Sequence, residues 1–485
     1  MTTSERGRPM PTARFRPTWL LILAASLPMF MAALDNLVVT SALPVLQREF
    51  DASIEDLQWF VNAYTLAFAG LILVAVALGD RFGRRRVFAI GLALFTVSSV
   101  LCALSVESWQ LIAARAVQGA SAAALMPLSL TLLSTSVAPR LRPLAIGVWS
   151  GVTGLGVALG PLVGGAVVEG LNWNAIFWLN VPIGVLSLPL VLAVLPESFG
   201  RRVRIDLVGV GLASGGLLAV VYGIVRAESV GWGSAPIVAT LTAGVVLLAL
   251  FVVWERRTPD PLLSLGLFRD RGFSAANVVG VLFSFGIFGA IFILIQFLQI
   301  VQGYSPLEAG VLTMPWTMAP MVVAPLAGLA VPRFGTRLPI VTGLVFVAAA
   351  LTWIALVMTE DVGYDRLVVA FALAGVGMGL VIAPSATAVL ATIRDEDNAK
   401  ASGTNSALRE VGVALGIAVL TAVFTGAGGQ LTPSGYVDAA VVAVLAGAGV
   451  VGLGALAALA LPHGRAARAG GSPAAVPEPV GAARR

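Results

Sequence analysis

The sequence predicts an all-α membrane protein: two pseudo-symmetric six-helix bundles with two further helices inserted between them. Three observations predict it. Of 485 residues, 58% are apolar and 11% charged. A soluble domain of that length has no interior able to hide so much hydrocarbon, whereas a bilayer bundle can leave it facing lipid at no cost. The apolar residues also fall into fourteen runs of spanning length. Finally, Gly156-Val157-Ala158-Leu159-Gly160 returns letter for letter from Gly412 to Gly416, 256 residues on, as in a chain built twice.

In chain order, the polar segment 1–17 leads into span 1 at 18–42, which is longer than a signal-peptide core and so stays in place. Spans 2 to 6 follow at 58–78, 87–105, 109–134, 143–168 and 175–195, completing a first bundle over 18–196. Spans 7 and 8, at 206–226 and 235–254, form a hairpin over 197–254. A linker at 255–273 carries Pro259, Pro261 and alternating charge. Spans 9 to 14, at 274–301, 307–331, 338–358, 367–391, 401–426 and 436–461, form the second bundle over 274–461. The tail at 462–485, rich in Ala, Gly, Pro and Arg, has the composition of a disordered segment. A second echo supports the pairing of bundles: Gly79-Asp80-Arg81-Phe82-Gly83 is answered by Val331-Pro332-Arg333-Phe334-Gly335, 252 residues on. The hairpin is therefore what the duplication leaves over.

Charge tests the span count. Of 30 Lys and Arg, only Arg48, Arg226 and Arg366 fall in one set of alternate loops, and Arg115 and Arg409 lie within spans. All the others sit on the side of the N-terminus. Basic residues collect on the cytoplasmic face, so both termini are assigned there, in the plasma membrane. The net charge of +5 is thus an orientation signal, and nucleic acid is not an expected partner. Cys102 is the single cysteine, so no intramolecular disulfide can form. Lys400, the only lysine, follows Ala399, which excludes a Gly-Lys-Ser/Thr phosphate loop and with it ATP as energy source. The single histidine, His463, lies in the polar tail, and no Cys/His cluster, buried Asp pair or Ser-Lys dyad stands out. A metal site, a cofactor and an enzymatic role are therefore not expected.

Four motifs carry a family resemblance. They are Leu34-Asp35-Asn36-Leu37-Val38-Val39-Thr40-Ser41-Ala42-Leu43-Pro44 in span 1, Gly79-Asp80-Arg81-Phe82-Gly83-Arg84-Arg85-Arg86 after span 2, Arg115-Ala116-Val117-Gln118-Gly119 in span 4, and the stripe Gly147, Gly156, Gly160, Pro161, Gly164, Gly165 in span 5. Over roughly 18–461 the chain resembles the fourteen-span drug:proton antiporters of the major facilitator superfamily, the QacA/EmrB type. It departs from the pattern at Ser41, where the family more often has Asn, and at Val76, where it usually has Gly. The resemblance implies two lobes rocking about a central cavity, powered by the proton gradient.

Each motif has a physical reading beside the resemblance. Asp35 lies about 13 Å from Pro44 along a helix, inside the hydrocarbon and too short to reach its edge. It needs a partner, a proton or water. Resemblance gives it proton coupling and substrate binding, while its plainer role is a packing hydrogen bond. Arg115 cannot shed its charge and needs a carboxylate or an aqueous path; resemblance gives it proton transfer. Gln118 and Gly119 lie one turn on; Asp35, Tyr64, Arg115 and Gln118 are all expected to border the central cavity, with Gln118 among the substrate-binding residues. Arg409 and Glu410 are neighbours in span 13 pointing about 100° apart. Glu410 is either a second proton site or a structural partner. Asp80, Arg81, Gly83 and Arg84 resemble a conformational latch, in which Gly83, like its counterpart Gly335, permits a tight reversal, although arginines there also follow from orientation alone. The glycine stripe allows close backbone approach, and Pro161 bends the helix; resemblance ties that bend to antiport. Among the aromatics, Tyr64, Phe288 and Phe292 are candidates for the substrate cavity, with lipid contact as the rival explanation.

The expected function is proton-driven export of amphipathic, cationic drugs or toxic compounds from the cytoplasm. The chain would work as a monomer, with protons, the substrate and membrane lipid as its only partners. The alternative is a same-fold exporter of an endogenous metabolite, siderophore or lipid.

Overall fold

A computed structural model describes residues 17–462 except 201–205, 260, 262, 264, 392 and 394–397. Apart from Pro17 and Pro462, the expected N-terminal segment and C-terminal tail lie outside the described residues. Fourteen described helices are long and apolar enough to cross a membrane. They are α1 (Thr18–Phe50), α2 (Ile54–Phe82), α3 (Arg84–Ala103), α4 (Ser108–Ser136), α5 (Leu144–Gly170), α6 (Ala175–Val194), α7 (Leu207–Val230) and α8 (Ala235–Glu255), then α9 (Arg271–Val301), α10 (Pro306–Phe334), α11 (Arg337–Val357), α12 (Tyr364–Val389), α13 (Ala401–Gly426) and α14 (Pro433–Ala458). The predicted fourteen-span architecture is the one observed.

Local chemistry sets the ends. At the start of α2, the Ser53 hydroxyl accepts from the Asp56 N–H at 3.1 Å, and Asp56 accepts from the Ser53 N–H at 3.0 Å. Ser305 and Glu308 repeat this reciprocal cap at the start of α10, so each box satisfies two otherwise orphaned donors. The glycines predicted to turn after α2 and α10 do so with φ of +109° at Gly83 and +75° at Gly335, a region a side chain disfavours. Prolines produced the main differences from expectation. Helix α1 continues through Pro44 to Phe50, past the predicted end at 42. Pro44 removes one hydrogen bond, and the buried faces on both sides hold the helix together. Two breaks were not expected. Regular helix is interrupted at Leu179, where Pro182 cannot donate to the carbonyl of Trp178, and at Thr313, just before Pro315.

Packing repeats the duplication. In the first half α1 packs on α5, α2 and α3 on α4, and α6 on α1 and α3. In the second, α9 packs on α13, α10 and α11 on α12, and α14 on α9 and α11. The repeated Gly-Val-Ala-Leu-Gly segment explains one of these pairs. A Cβ on Gly156 would lie 2.7 Å from the Phe30 carbonyl oxygen of α1, and one on Gly412 would lie 2.5 Å from the Val281 carbonyl oxygen of α9. Each segment therefore seats its helix directly on a neighbouring backbone.

The halves meet through α5 and α10, α2 and α13, and α1 and α9. At the end of the bundle remote from Thr18, here the far end, Gln299 donates to the Ser41 carbonyl at 2.8 Å and the Leu307 N–H donates to Glu169 at 3.2 Å. Leu34, Val38 and Leu43 of α1 there share one hydrophobic core with the second half. At the near end the first half keeps a core of its own, built on Leu21, Phe88, Phe95 and Leu132. There α5 and α10 part: Gly147, Gly151 and Gly154 have open space beside them, and Val322, Leu326 and Leu329 of α10 are exposed. The inserted hairpin joins from the side, with α7 against α2 and α13 and α8 against α7.

Candidate functional site

Asp35 of α1 is bonded directly by side chains of α4 and α6, and the network around it extends to α2 and α3. Its Oδ2 accepts from Arg115 Nη1 of α4 at 2.6 Å, and both side chains are at most 1% exposed. Its Oδ1 accepts from Gln118 Nε2 of α4 at 3.0 Å and from Asn180 Nδ2 of α6 at 2.6 Å. Ser99 of α3 completes the ring, its hydroxyl accepting from Gln118 at 2.8 Å and from Asn180 at 3.2 Å. Arg115 also donates to the Phe60 carbonyl of α2 at 3.0 Å and to Gln118 Oε1 at 2.6 Å. Its guanidinium lies 4.3 Å from the centre of the Tyr64 ring.

The local sequence explains the convergence. Arg115 and Gln118, three residues apart, share a face of α4. Gly119 lets α4 approach so closely that a Cβ there would collide with the Tyr64 carbonyl. The interruption ahead of Pro182 leaves Asn180 at the start of a helical segment, facing Asp35. Arg115 Nη2 and Asn180 Oδ1 remain without protein partners, as do both amide atoms of buried Asn62. In this buried network one negative charge is neutralised by one positive charge, out of reach of water. A proton on Asp35 cancels the attraction and leaves Arg115 charged in a sealed interior, an expensive state.

Asp35, Arg115, Tyr64 and Gln118 are therefore brought together, as a sealed cluster inside the first half rather than as the open cavity wall that was expected. Phe292 lies in the core around α9 and is 1% exposed, while Phe288 is half-buried at the edge of that core. Glu410 and Arg409 diverge. Arg409 lies over Gly280 of α9, where a Cβ would come within 3.3 Å of its Cγ. Glu410 is half-buried on α13, the helix that packs against α2 across the seam. The stripe in α5 divides: Gly156, Gly160 and Gly164 seat α1, whereas Gly165 meets the backbone of Pro306 and Leu307 in α10, and Pro161 meets Gly310.

The latch residues form a second cluster at the near end. Arg84 Nε donates to Asp80 Oδ1 at 2.7 Å. The segment after α6 folds over it, with Gly200 N–H donating to the Asp80 carbonyl at 3.1 Å and Arg84 N–H to the Ser198 carbonyl at 2.9 Å. Glu197 accepts from the Arg85 N–H at 2.8 Å, and Arg85 donates to the Leu195 carbonyl at 3.1 Å. The Arg81 guanidinium stands 5.3 Å from the Phe82 ring centre. Sequence reasoning missed Asn180, Ser99 and Glu197. Asn180 was visible as an amide inside an otherwise apolar run, but nothing local links it to Asp35, 145 residues away.

Comparison with known proteins agrees with this architecture. The sequence profile of the Major Facilitator Superfamily matches residues 25–208, 201–417 and 277–482. The tetracenomycin C resistance and export protein of Streptomyces glaucescens is 35% identical over 436 residues, covering 90% of this chain and 79% of that one. Multidrug resistance protein Stp of Mycobacterium tuberculosis H37Rv is 36% identical over 410 residues, 84% and 76% of the respective chains. Multidrug efflux pump LfrA of Mycolicibacterium smegmatis is 34% identical over 427 residues, 88% and 84% of the two. Among solved structures, the peptide transporter POT with alafosfalin superposes with a TM-score of 0.68 at 15% identity, covering 93% of this chain and 95% of that one. At that identity the likeness concerns the fold alone.

Proposed function

Since the chain belongs to the Major Facilitator Superfamily, and is a multi-pass membrane transporter rather than an enzyme, we propose that it exports amphipathic cations in exchange for protons, with Asp35 as the exchanging carboxylate. The observation that carries this reading is the sealed Asp35–Arg115 pair at 2.6 Å. Removing one member of a buried pair costs about 3–5 kcal/mol, so protonation of Asp35 favours an arrangement in which Arg115 reaches water. The same holds when a cationic substrate competes for the carboxylate. A proton and a cation thus become alternative ligands of one group, which is the requirement for exchange.

In this proposal the near end faces the cytoplasm and the arrangement described above is open toward it. Substrate enters where α5 and α10 part, and Gly165 against Pro306 holds the outer end closed. Tyr64, Gln118, Phe288 and Phe292 come to line the path as the halves tilt, Glu410 is a secondary proton site on the seam, and the Asp80–Arg84 cluster latches the near end. No ATP is used, and the chain acts as a monomer in the plasma membrane. Exchanging one proton for one monovalent cation moves no net charge, so one pH unit supplies about 1.4 kcal/mol, or roughly tenfold accumulation; a neutral solute would also gain the ~100 mV, about 3.7 kcal/mol in all. In everted vesicles, adding an amphipathic cation is expected to dissipate a preformed pH gradient, and Asp35→Asn is expected to abolish the response. Equal responses from both proteins would remove Asp35 from the mechanism.

A further inference from the structure

We propose that the inserted helix α7 builds, together with α2 and α13, a second binding site at the far end of the bundle, for an organic ammonium ion with an apolar body. The choice of an organic cation as occupant rests on the export reading; the site itself rests on geometry. A cavity of about 150 Å³ opens between the first turn of α2 and the last turns of α7 and α13. Its polar lining consists of Glu55 and Gln58 of α2, Glu228 and Ser229 of α7, and Thr425 of α13. Gln58 is 3% exposed, and its Oε1 has no hydrogen-bond partner. A buried amide left unpaired costs free energy unless something fills the space beside it.

Charge selects the occupant. Glu55 has one basic neighbour, Arg226, whose Nε lies 3.6 Å from its Oε2. Among the described residues, Glu228 accepts only from the neutral indole of Trp232, at 3.3 Å. Two carboxylates against one guanidinium leave a single negative charge. Helix ends add to it: Glu228 and Thr425 lie in the last turns of α7 and α13, whose unpaired carbonyls carry partial negative charge, against the single positive end of α2. The other walls, Ile54, Ile224, Val225 and Ala422, are apolar. A bare metal ion would gain nothing from them, whereas an alkyl or aryl ammonium satisfies both kinds of wall, and a cavity of about 150 Å³ admits a body the size of benzene. The hairpin left over by the duplication thus supplies a carboxylate and an apolar wall that the two six-helix halves do not contain.

The test uses the full chain in lipid nanodiscs, with benzylammonium as probe and benzyl alcohol as its neutral counterpart, and binding measured by calorimetry. Benzylammonium is expected to bind and benzyl alcohol not to. Glu228→Gln, at an exposed position, should weaken binding roughly tenfold, and Ala422→Leu, which fills the cavity without altering charge, should abolish it. Asp35→Asn, which removes the exchanging carboxylate, should leave in place the binding component that Glu228→Gln and Ala422→Leu remove. The proposal is overturned if Glu228→Gln and Ala422→Leu bind as the wild type does, or if the neutral probe binds as well as the cation. Binding lost in Asp35→Asn but kept in Glu228→Gln would place the probe in the buried network, sinking this site while sparing the export reading. Normal binding beside an intact pH gradient after drug addition would do the reverse.

Discussion

The two halves share a scaffold and differ in what they bury within it. In the first, Gly119 brings α4 onto the Tyr64 carbonyl; in the second, Gly375 brings α12 within 2.6 Å of the Trp316 carbonyl, measured to a Cβ built on the glycine. Around these matching contacts, Ala114-Arg115-Ala116-Val117-Gln118-Gly119 corresponds to Ala370-Phe371-Ala372-Leu373-Ala374-Gly375. Where Arg115 lies over Tyr64, Phe371 lies 5.8 Å from Trp316. By the glycine contacts between α5 and α1 and between α13 and α9, Gly286 holds the position in the second half equivalent to that of Asp35 in the first, and it packs on the backbone of Gly447. One half has kept the apolar solution and the other has a charge pair in the same frame. The frame therefore does not require the charges, and their cost must be offset by what they do.

The comparison can be broken most forcefully at Arg115. Arg115→Phe alone leaves Asp35 buried without its counter-charge and is expected to destabilise the protein by about 3–5 kcal/mol, read as a lowered unfolding temperature in detergent. Adding Asp35→Gly copies the second half's solution and should recover much of that loss while transport stays absent. A double variant no more stable than the single one would mean that the halves are not equivalent frames. Next in size is Asn180→Ala, which removes a donor from a charged acceptor and should cost about 1.5–3 kcal/mol by the same measurement. Gly119→Ala and Gly375→Ala sharpen the equivalence, because each forces a methyl against a backbone and both should lose about 1–3 kcal/mol. A loss confined to one of them would show that the two approaches differ in tightness. The smallest effect is expected at the partly exposed latch, where Glu197→Gln should lower stability by less than about 1 kcal/mol.

Fourteen spans, the duplication and the turn glycines were legible in the sequence because hydrophobic length, exact repetition and positive-φ turns are local signals. Asp35, Arg115 and Gln118 were legible as individual polar groups inside apolar runs. Their assembly was not, since the partners come from four helices and side-chain pairing leaves no trace in spacing. Asn180 shows the difference: its register at Asp35 depends on the break ahead of Pro182, a tertiary feature. Proline also misled in both directions, as α1 runs on through Pro44 while α10 breaks before Pro315. Whether burial on either side compensates a lost hydrogen bond cannot be read from the residue itself.

Cys102, the sole thiol of the chain, is buried with its sulfur 3.8 Å from Gln118 Oε1, one contact removed from Asp35. Native protein thus carries a built-in chemical reporter at the heart of the charge cluster, with no competing sulfhydryl to engineer away. Its alkylation by a membrane-permeant maleimide would clock how often that interior becomes wet, in unmodified cells and without a fluorophore or a tag.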